Sequence, residues 1–365
     1  MRNLAVAVAV VGLAAAAPTA SSGRTYLDHF QTLSTLATAV PASGAAAGDQ
    51  NPYGVAVVPR SVGKLVKGHV LVSNFDGASN HQGTGSSIVD ISPSGGAHVF
   101  AVVPRPTATK AVGLTTALVA LRSGYVVVGS LPAPGGMSSA MKAGALTILD
   151  WNGHVAMTIK GGDIKGPWDM TAVDHGSNVV LFVTNVLNGT VKAGGKVVKK
   201  GTVVRIVLSI QNHHVSVVSN RVIATGFGEH TDPNALVVGP TGVGLGPNGT
   251  LYIADSNGSR IAAVANAMTR TSVLGGGGKT VSSGGSLNDP LGLAIAPGGD
   301  IITTNGSDGN AVETTPSGHQ AVTKTLIING GGDLFGLAIA PHQGGIYLVD
   351  DAGSGTAANS LQLLH

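Results

Sequence analysis

The chain has 365 residues with no cysteine, which excludes disulfide staples, thiolate metal centres and cysteine nucleophiles. Its 21 Lys and Arg nearly balance 18 Asp and Glu, a charge too small to imply a nucleic-acid partner. Glycine reaches 55 residues while charged residues make up only 11%, yet the wealth of Val, Ile and Thr argues for a folded β protein and against disorder. The chain opens with Met1-Arg2-Asn3, an apolar run from Leu4 to Ala17 and a small polar exit through Ser22. This is the grammar of a signal peptide, and the run falls short of the ~20 residues that span a bilayer. Residues 1–20 are therefore expected to be a leader, with 21–365 one domain in the periplasm or outside the cell and no transmembrane segment.

Beyond the leader, one unit recurs: a glycine or its equivalent, an apolar strand, a turn, and a β-branched strand ending in Asn, Asp or Ser. Pro52-Tyr53-Gly54 through Pro59 leads to Val70–Asn74, Gly113-Leu114-Thr115 to Tyr125–Ser130, and Pro167-Trp168-Asp169 to Val179–Asn185. The later copies are sharper. Pro240-Thr241-Gly242 leads to Leu251–Asp255, Pro290-Leu291-Gly292 to Ile301–Asn305, and Leu334-Phe335-Gly336 to Ile346–Asp350. Anchors at 54, 113, 169, 242, 292 and 336 lie 44 to 73 residues apart, the length of a four-stranded blade with its loops. Hairpins complete the blades, as in Ile88–Ile91 and Ala97–Val103 around Ser94-Gly95, where glycine supplies the positive φ of a tight turn.

The expected fold is an all-β, six-bladed β-propeller with blades starting near 51, 111, 166, 239, 289 and 333. The last unit is one strand short and Thr32–Val40 is a spare strand, so this N-terminal segment is expected to close the last blade.

Pro240, Gly242, Pro247, Gly249, Leu251, Tyr252, Ala254, Asp255 and Ser259-Arg260-Ile261 resemble the NHL repeat, and the chain is similar to exported NHL-like bacterial proteins. That resemblance implies a fold and no activity.

Chemistry is expected on the face where the loops between second and third strands gather. The ends of the second strands place Asn74, Ser130, Asn185, Asp255, Asn305 and Asp350 on one rim, where oxygen ligands could hold Ca²⁺ or Mg²⁺, or could simply bond their own turns. Gluconolactonase-type propellers, which this chain also resembles, hold one divalent metal with Glu, Asn and Asp. Asn185, Asp255 and Asn305 match the Asn and Asp roles, but the first glutamate of the chain is Glu229. Glu229-His230-Thr231-Asp232 brings an acid and an imidazole together before unit four and resembles the His and Glu use of virginiamycin B-type lyases. The loops are long in the first three units, and the third carries Lys192, Lys196, Lys199 and Lys200, read as a solvated edge or an anion-attracting patch. Gly275 to Thr280 lacks the flanks of a phosphate loop.

The residues alone thus point to a monomeric, non-enzymatic exported propeller that binds a protein or small-molecule partner on its long-loop face. The alternative is a metal-dependent hydrolase or lyase with its site at the central channel.

Overall fold

The structure is a computed structural model that describes residues 25–104, 111–351 and 358–365. The expected leader lies outside the described residues. After a single turn at Leu27–His29, strand β1 (Leu33–Thr38) precedes the first blade. Blade one is β2 (Gln50–Val57), β3 (Val70–Asp76), β4 (Ser87–Ile91) and β5 (Ala97–Val102); blade two is β6 (Leu114–Ala120), β7 (Val126–Ser130), β8 (Ala145–Leu149) and β9 (Val155–Lys160). Blade three has β10 (Gly166–Asp174), β11 (Asn178–Val186), β12 (Val198–Gln211), β13 (His214–Asp232) and the short β14 (Leu236–Val238). Blade four is β15 (Pro240–Leu245), β16 (Leu251–Asp255), β17 (Arg260–Val264) and β18 (Lys279–Ser283); blade five is β19 (Pro290–Ile295), β20 (Ile301–Asn305), β21 (Asn310–Thr314) and β22 (Gln320–Thr325). Blade six holds β23 (Leu334–Ile339), β24 (Ile346–Asp350) and β25 (Ser360–Leu364), and takes β1 as its outer strand.

That closure is the one the spare N-terminal strand implied. Leu33 pairs with Leu364 and Thr38 with Ser360, leaving no open edge between the first and last blades. Upstream, Glu313 of blade five accepts the backbone N–H groups of Tyr26 and Leu27 at 2.9 and 2.7 Å, clamping the chain before β1.

Each inner strand carries a bulge near its start, and the bulge explains the repeat. Pro52, Leu114, Pro167, Pro240, Pro290 and Leu334 pair with a residue at or near the end of the neighbouring second strand, and the register slips just after them. The residue two positions on, Gly54, Thr116, Asp169, Gly242, Gly292 or Gly336, then lies against the next blade's backbone. A Cβ on Gly292 would stand 2.2 Å from Phe335 O and one on Gly336 2.3 Å from Tyr53 O, so only glycine permits this approach. Register therefore places Thr116 in the anchor role assigned above to Gly113. Blade two has a bulge one residue longer, so an alignment on glycine alone slips there.

Where glycine is missing, the side chain makes the blade-to-blade bond itself. Thr116 Oγ1 donates to Trp168 O at 2.6 Å, and Asp169 Oδ2 accepts Val243 N–H at 3.1 Å. Elsewhere a hydroxyl serves two blades at once. Ser73 and Thr304 accept the anchor N–H of their own blade and donate to Thr115 O and Phe335 O of the next, at 2.8 and 2.7 Å. Thr184 does the same with Asp169 N–H and Thr241 O. Fully buried side chains such as Phe75, Phe182 and Phe227 fill the spaces between blades, each worth about 1.5–3 kcal/mol. Among the described residues no helix is long and apolar enough to cross a membrane.

Candidate functional site at the upper mouth of the channel

Taking the end where the inner strands begin as the upper face, the predicted rim residues form one equivalent ring. Asn74, Ser130, Asn185, Asp255, Asn305 and Asp350 each sit opposite the residue that opens the inner strand. Their side chains, however, serve the blades. Asn74 Nδ2 donates to Ala39 O at 2.7 Å, Asn185 Oδ1 accepts Lys165 and Gly166 N–H at 2.8 and 3.0 Å, and Asn305 Nδ2 donates to Ser286 O at 2.8 Å. In all three the partner lies on the crossover arriving from the previous blade, so the amide staples that crossover down. Asp255 pairs with Arg260 Nε at 2.7 Å, and Asp350 accepts from Gln362 Nε2. Asn185, Asp255 and Asn305 thus spend these side-chain atoms on their own blades and line neither mouth of the channel, while among the described residues Asp255 Oδ1 and Asn305 Oδ1 have no hydrogen-bond partner. Among the described residues no three His, Asp or Glu groups gather closely enough to hold a metal ion.

The residues one step along the chain reach the channel instead. A cavity of about 290 Å³ opens at the upper mouth, floored by residues just before the anchors: Tyr53, Trp168, Thr241, Leu291 and Phe335. Tyr53 is stacked between Phe75 and Phe335, with ring centroids 4.5 and 4.2 Å away, and Trp168 tilts against it at 6.0 Å. Such a stack is an apolar, rigid floor.

The rim above this floor is lopsided. The residues that precede the paired openings are Gly113, Gly166 and Gly239 in blades two to four, but Asn51, Asp289 and Asp333 in blades one, five and six. Those directly after the paired rim residues of the second strands are Phe75, Leu131, Val186, Ser256, Gly306 and Asp351. Asp351, Asp289 and Asn51 line the cavity, so its acidic wall is built by the three blades around the closure. Asn51 and Asp289 hold φ of 57° and 54°, a left-handed conformation that costs a non-glycine residue about 1–3 kcal/mol.

Burial dominates the electrostatics. It pushes Asp351 up to about 7, with Asp76, Asp333 and Asp350 adding repulsion. Asp76 is also pushed up to about 7 by burial, partly relieved by a hydrogen bond from Asn51, with Asp49 adding repulsion. Asp289 is raised by burial, but the Ser307 hydroxyl, which donates to its Oδ2 at 3.4 Å, and the nearby His230 oppose the rise. Burial and the charges of Asp76, Asp351 and Asp289 drive the Tyr53 phenol well above its usual range.

A strap crosses the mouth. Gln82, on the long loop of blade one, donates from Nε2 to Asn234 O at 2.9 Å, on the turn between β13 and β14 of blade three. Of the predicted acid–imidazole pair, Glu229 is fully buried, pushed up to about 7 by burial, and accepts Asn188 N–H at 3.1 Å, holding the long loop of blade three. His230 contacts Asn257 Oδ1 at 3.1 Å and lies near enough to Asp289 to favour its charge. Lys192, Lys196, Lys199 and Lys200 are all exposed on that same loop and the start of β12.

This arrangement of six blades around a channel has counterparts among solved structures. The fold is that of gluconolactonases and streptogramin B lyase. A gluconolactonase from Xanthomonas campestris matches with a TM-score of 0.55 at 14% identity, over 91% of this chain and 88% of that one. A streptogramin B lyase matches with a TM-score of 0.51 at 13% identity, over 91% and 96%. No protein-family model and no curated protein sequence matches the chain. At these identities the likeness carries the architecture and leaves the site to be read from its own residues.

Sequence reasoning stopped one residue short of this site. It singled out Asp350 where Asp351 faces the cavity, and it passed over Asn51 and Asp289. The legible signal was a polar residue directly before the proline that opens a repeat, in Asn51-Pro52 and Asp289-Pro290.

Proposed function

We propose that the protein is a small-molecule hydrolase or lyase working by proton transfer at the upper mouth of its channel. One observation carries this reading: a roofed cavity with an aromatic floor into which Asp351 and Asp289 open from different blades. The two carboxyl groups have unlike surroundings. Asp351, beside other acids and pushed up to about 7, keeps a proton part of the time at neutral pH and can give it to a leaving group. Asp289, with the Ser307 hydroxyl and His230 nearby, holds its charge more readily and can take a proton from water or from a carbon acid. Asp76 acts behind Asp351 as a like-charged neighbour that keeps its affinity for protons high. Among the described residues the acidic groups do not gather closely enough to hold a divalent cation. Solved propellers of this fold include enzymes that open a lactone or cleave a streptogramin, which supports the enzymatic reading over simple binding.

The test is turnover of a panel of small lactones, esters and cyclic depsipeptides at neutral pH, repeated with Asp351→Asn and Asp289→Asn. Hydrolysis or elimination that drops at least ~100-fold in either variant is expected, the usual scale of a lost general acid or base. No turnover across the panel, or full activity in both variants, would overturn the reading.

A further inference from the structure

We infer that the ligand of the upper cavity is an organic cation, a small amine or quaternary ammonium carried on an apolar body. This rests on the upper cavity being the functional site. The first observation is a charge imbalance. Among the described residues no Lys or Arg lines the cavity, while Asp289 and Asp351 do, with Asp76 and Asp333 close enough to raise Asp351 further. Carboxyl groups crowded together without a protein cation either take up protons or await a positive charge from outside.

The second observation is independent of charge. Among the described residues, Asn51 Oδ1, Gln82 Oε1 and Asp289 Oδ1 on the cavity wall, and Asp76 Oδ1 behind it, have no hydrogen-bond partner. Asn51 and Asp76 are only 4% and 2% exposed. Buried polar atoms are normally satisfied, so three open acceptors on the wall against a single open donor, Trp168 Nε1, describe a ligand rich in N–H groups. A lactone or ester without hydroxyl or amino groups would bring only acceptors to a wall that already has too many. A bare divalent ion wants six or more converging oxygens, and among the described residues the acids do not converge. The apolar remainder of the ligand would rest on Leu291, Phe335 and Trp168, and a cation beside such rings gains further. The volume of about 290 Å³ lies at the lower end for ligand cavities, which limits the body to about one ring.

Calorimetric titration of the purified chain with benzylamine, benzyltrimethylammonium, benzyl alcohol and benzoate tests this without any turnover. At about pH 8, at least one of the two cations should bind at least ~10-fold more tightly than benzyl alcohol, and benzoate should not bind. Near pH 5.5 that preference should shrink to less than ~3-fold, because Asp351 and Asp76, both at about 7, become neutral. The double variant Asp289→Asn, Asp351→Asn should lose the preference while melting no lower than the parent. Benzyl alcohol or benzoate binding as well as the cations, an unchanged preference in the double variant, or Ca²⁺ or Mg²⁺ competing the amine away at micromolar levels would each overturn the inference. So would no binding of either cation. Amine binding without turnover of the lactone and ester panel would sink the enzymatic reading and leave this one standing; turnover of neutral lactones without amine binding would do the reverse.

Discussion

The two mouths of one channel differ in almost everything except the strands that build them. The lower mouth, about 500 Å³, carries Val55, Val57, Leu118, Val243, Leu245, Leu293, Ile295, Leu337 and Ile339 in nearly the same positions blade after blade, with Arg122 and Asp174 beside them. Its walls are regular because these side chains pack blade against blade and must repeat for the ring to close. The upper mouth is built from crossovers and loops, whose lengths and residues differ from blade to blade, so it can hold acids on one side and glycines on the other. Repetition marks what the fold needs, and departure from repetition marks where function is written.

Carboxyl groups sharpen this contrast, since both regions contain them. Asp169 sits in the lower wall, fully engaged: it accepts Met170 N–H at 2.8 Å and Val243 N–H at 3.1 Å, and burial drives its pKa well above the usual range. It does the blade-joining work that glycine does elsewhere. Asp169→Ala leaves two buried donors unsatisfied and should cost about 2–5 kcal/mol in chemical denaturation. Asp169→Asn keeps one acceptor and should cost less, about 1–3 kcal/mol. Asp351→Asn and Asp289→Asn, which relieve repulsion at the upper mouth, should leave stability unchanged or higher while removing activity, the pattern of a site held at the expense of stability. If Asp351→Asn proves as damaging to stability as Asp169→Ala, the distinction between the two mouths fails.

Acid titration offers a second, smaller separation. Asp76 and Asp351 ionise near 7 in the folded chain but near ~3.9 when unfolded, so between these values the folded state binds more protons. Stability should therefore fall as pH rises from about 4 to about 7 and level off above, the reverse of an acid held by a salt bridge. Melting temperatures across that range should show the slope. Asp76→Asn and Asp351→Asn together should flatten it, and an unchanged slope would move its origin to other buried acids such as Glu229.

Much of the architecture was open to reading, because the repeat is a consequence of local geometry. Glycine at 54, 242, 292 and 336, Asn-Gly and Ser-Gly turns, and a spare strand at one end with a missing one at the other together fix six blades and their closure. Blade two escaped because Thr116 replaces glycine with a side-chain hydrogen bond, and composition gives no sign of that exchange. The site was legible only to its neighbourhood. Period-two alternation decides that Asp350 faces Gln362 while Asp351 faces the cavity, but the strand's exact end sets the phase, and a shift of one residue reverses the answer. Nor could spacing reveal that Gln82 meets Asn234, since that contact joins loops of blades one and three that lie 152 residues apart in sequence.

This strap supplies the mildest test of the upper mouth. The Gln82–Asn234 hydrogen bond is a single side chain to backbone contact between partly exposed groups, worth about 0.5–1.5 kcal/mol at most. Gln82→Ala should barely move the melting temperature. Its effect should appear in ligand exchange, because the loop of blade one then no longer reaches the far rim, and dissociation of a bound amine should quicken by about 2–10-fold with little change in association. Stopped-flow displacement would read both rates. Faster association with unchanged dissociation would mean that the strap obstructs the mouth instead of holding the ligand in, and the upper mouth would then be gated from outside by the long loops of blades one to three.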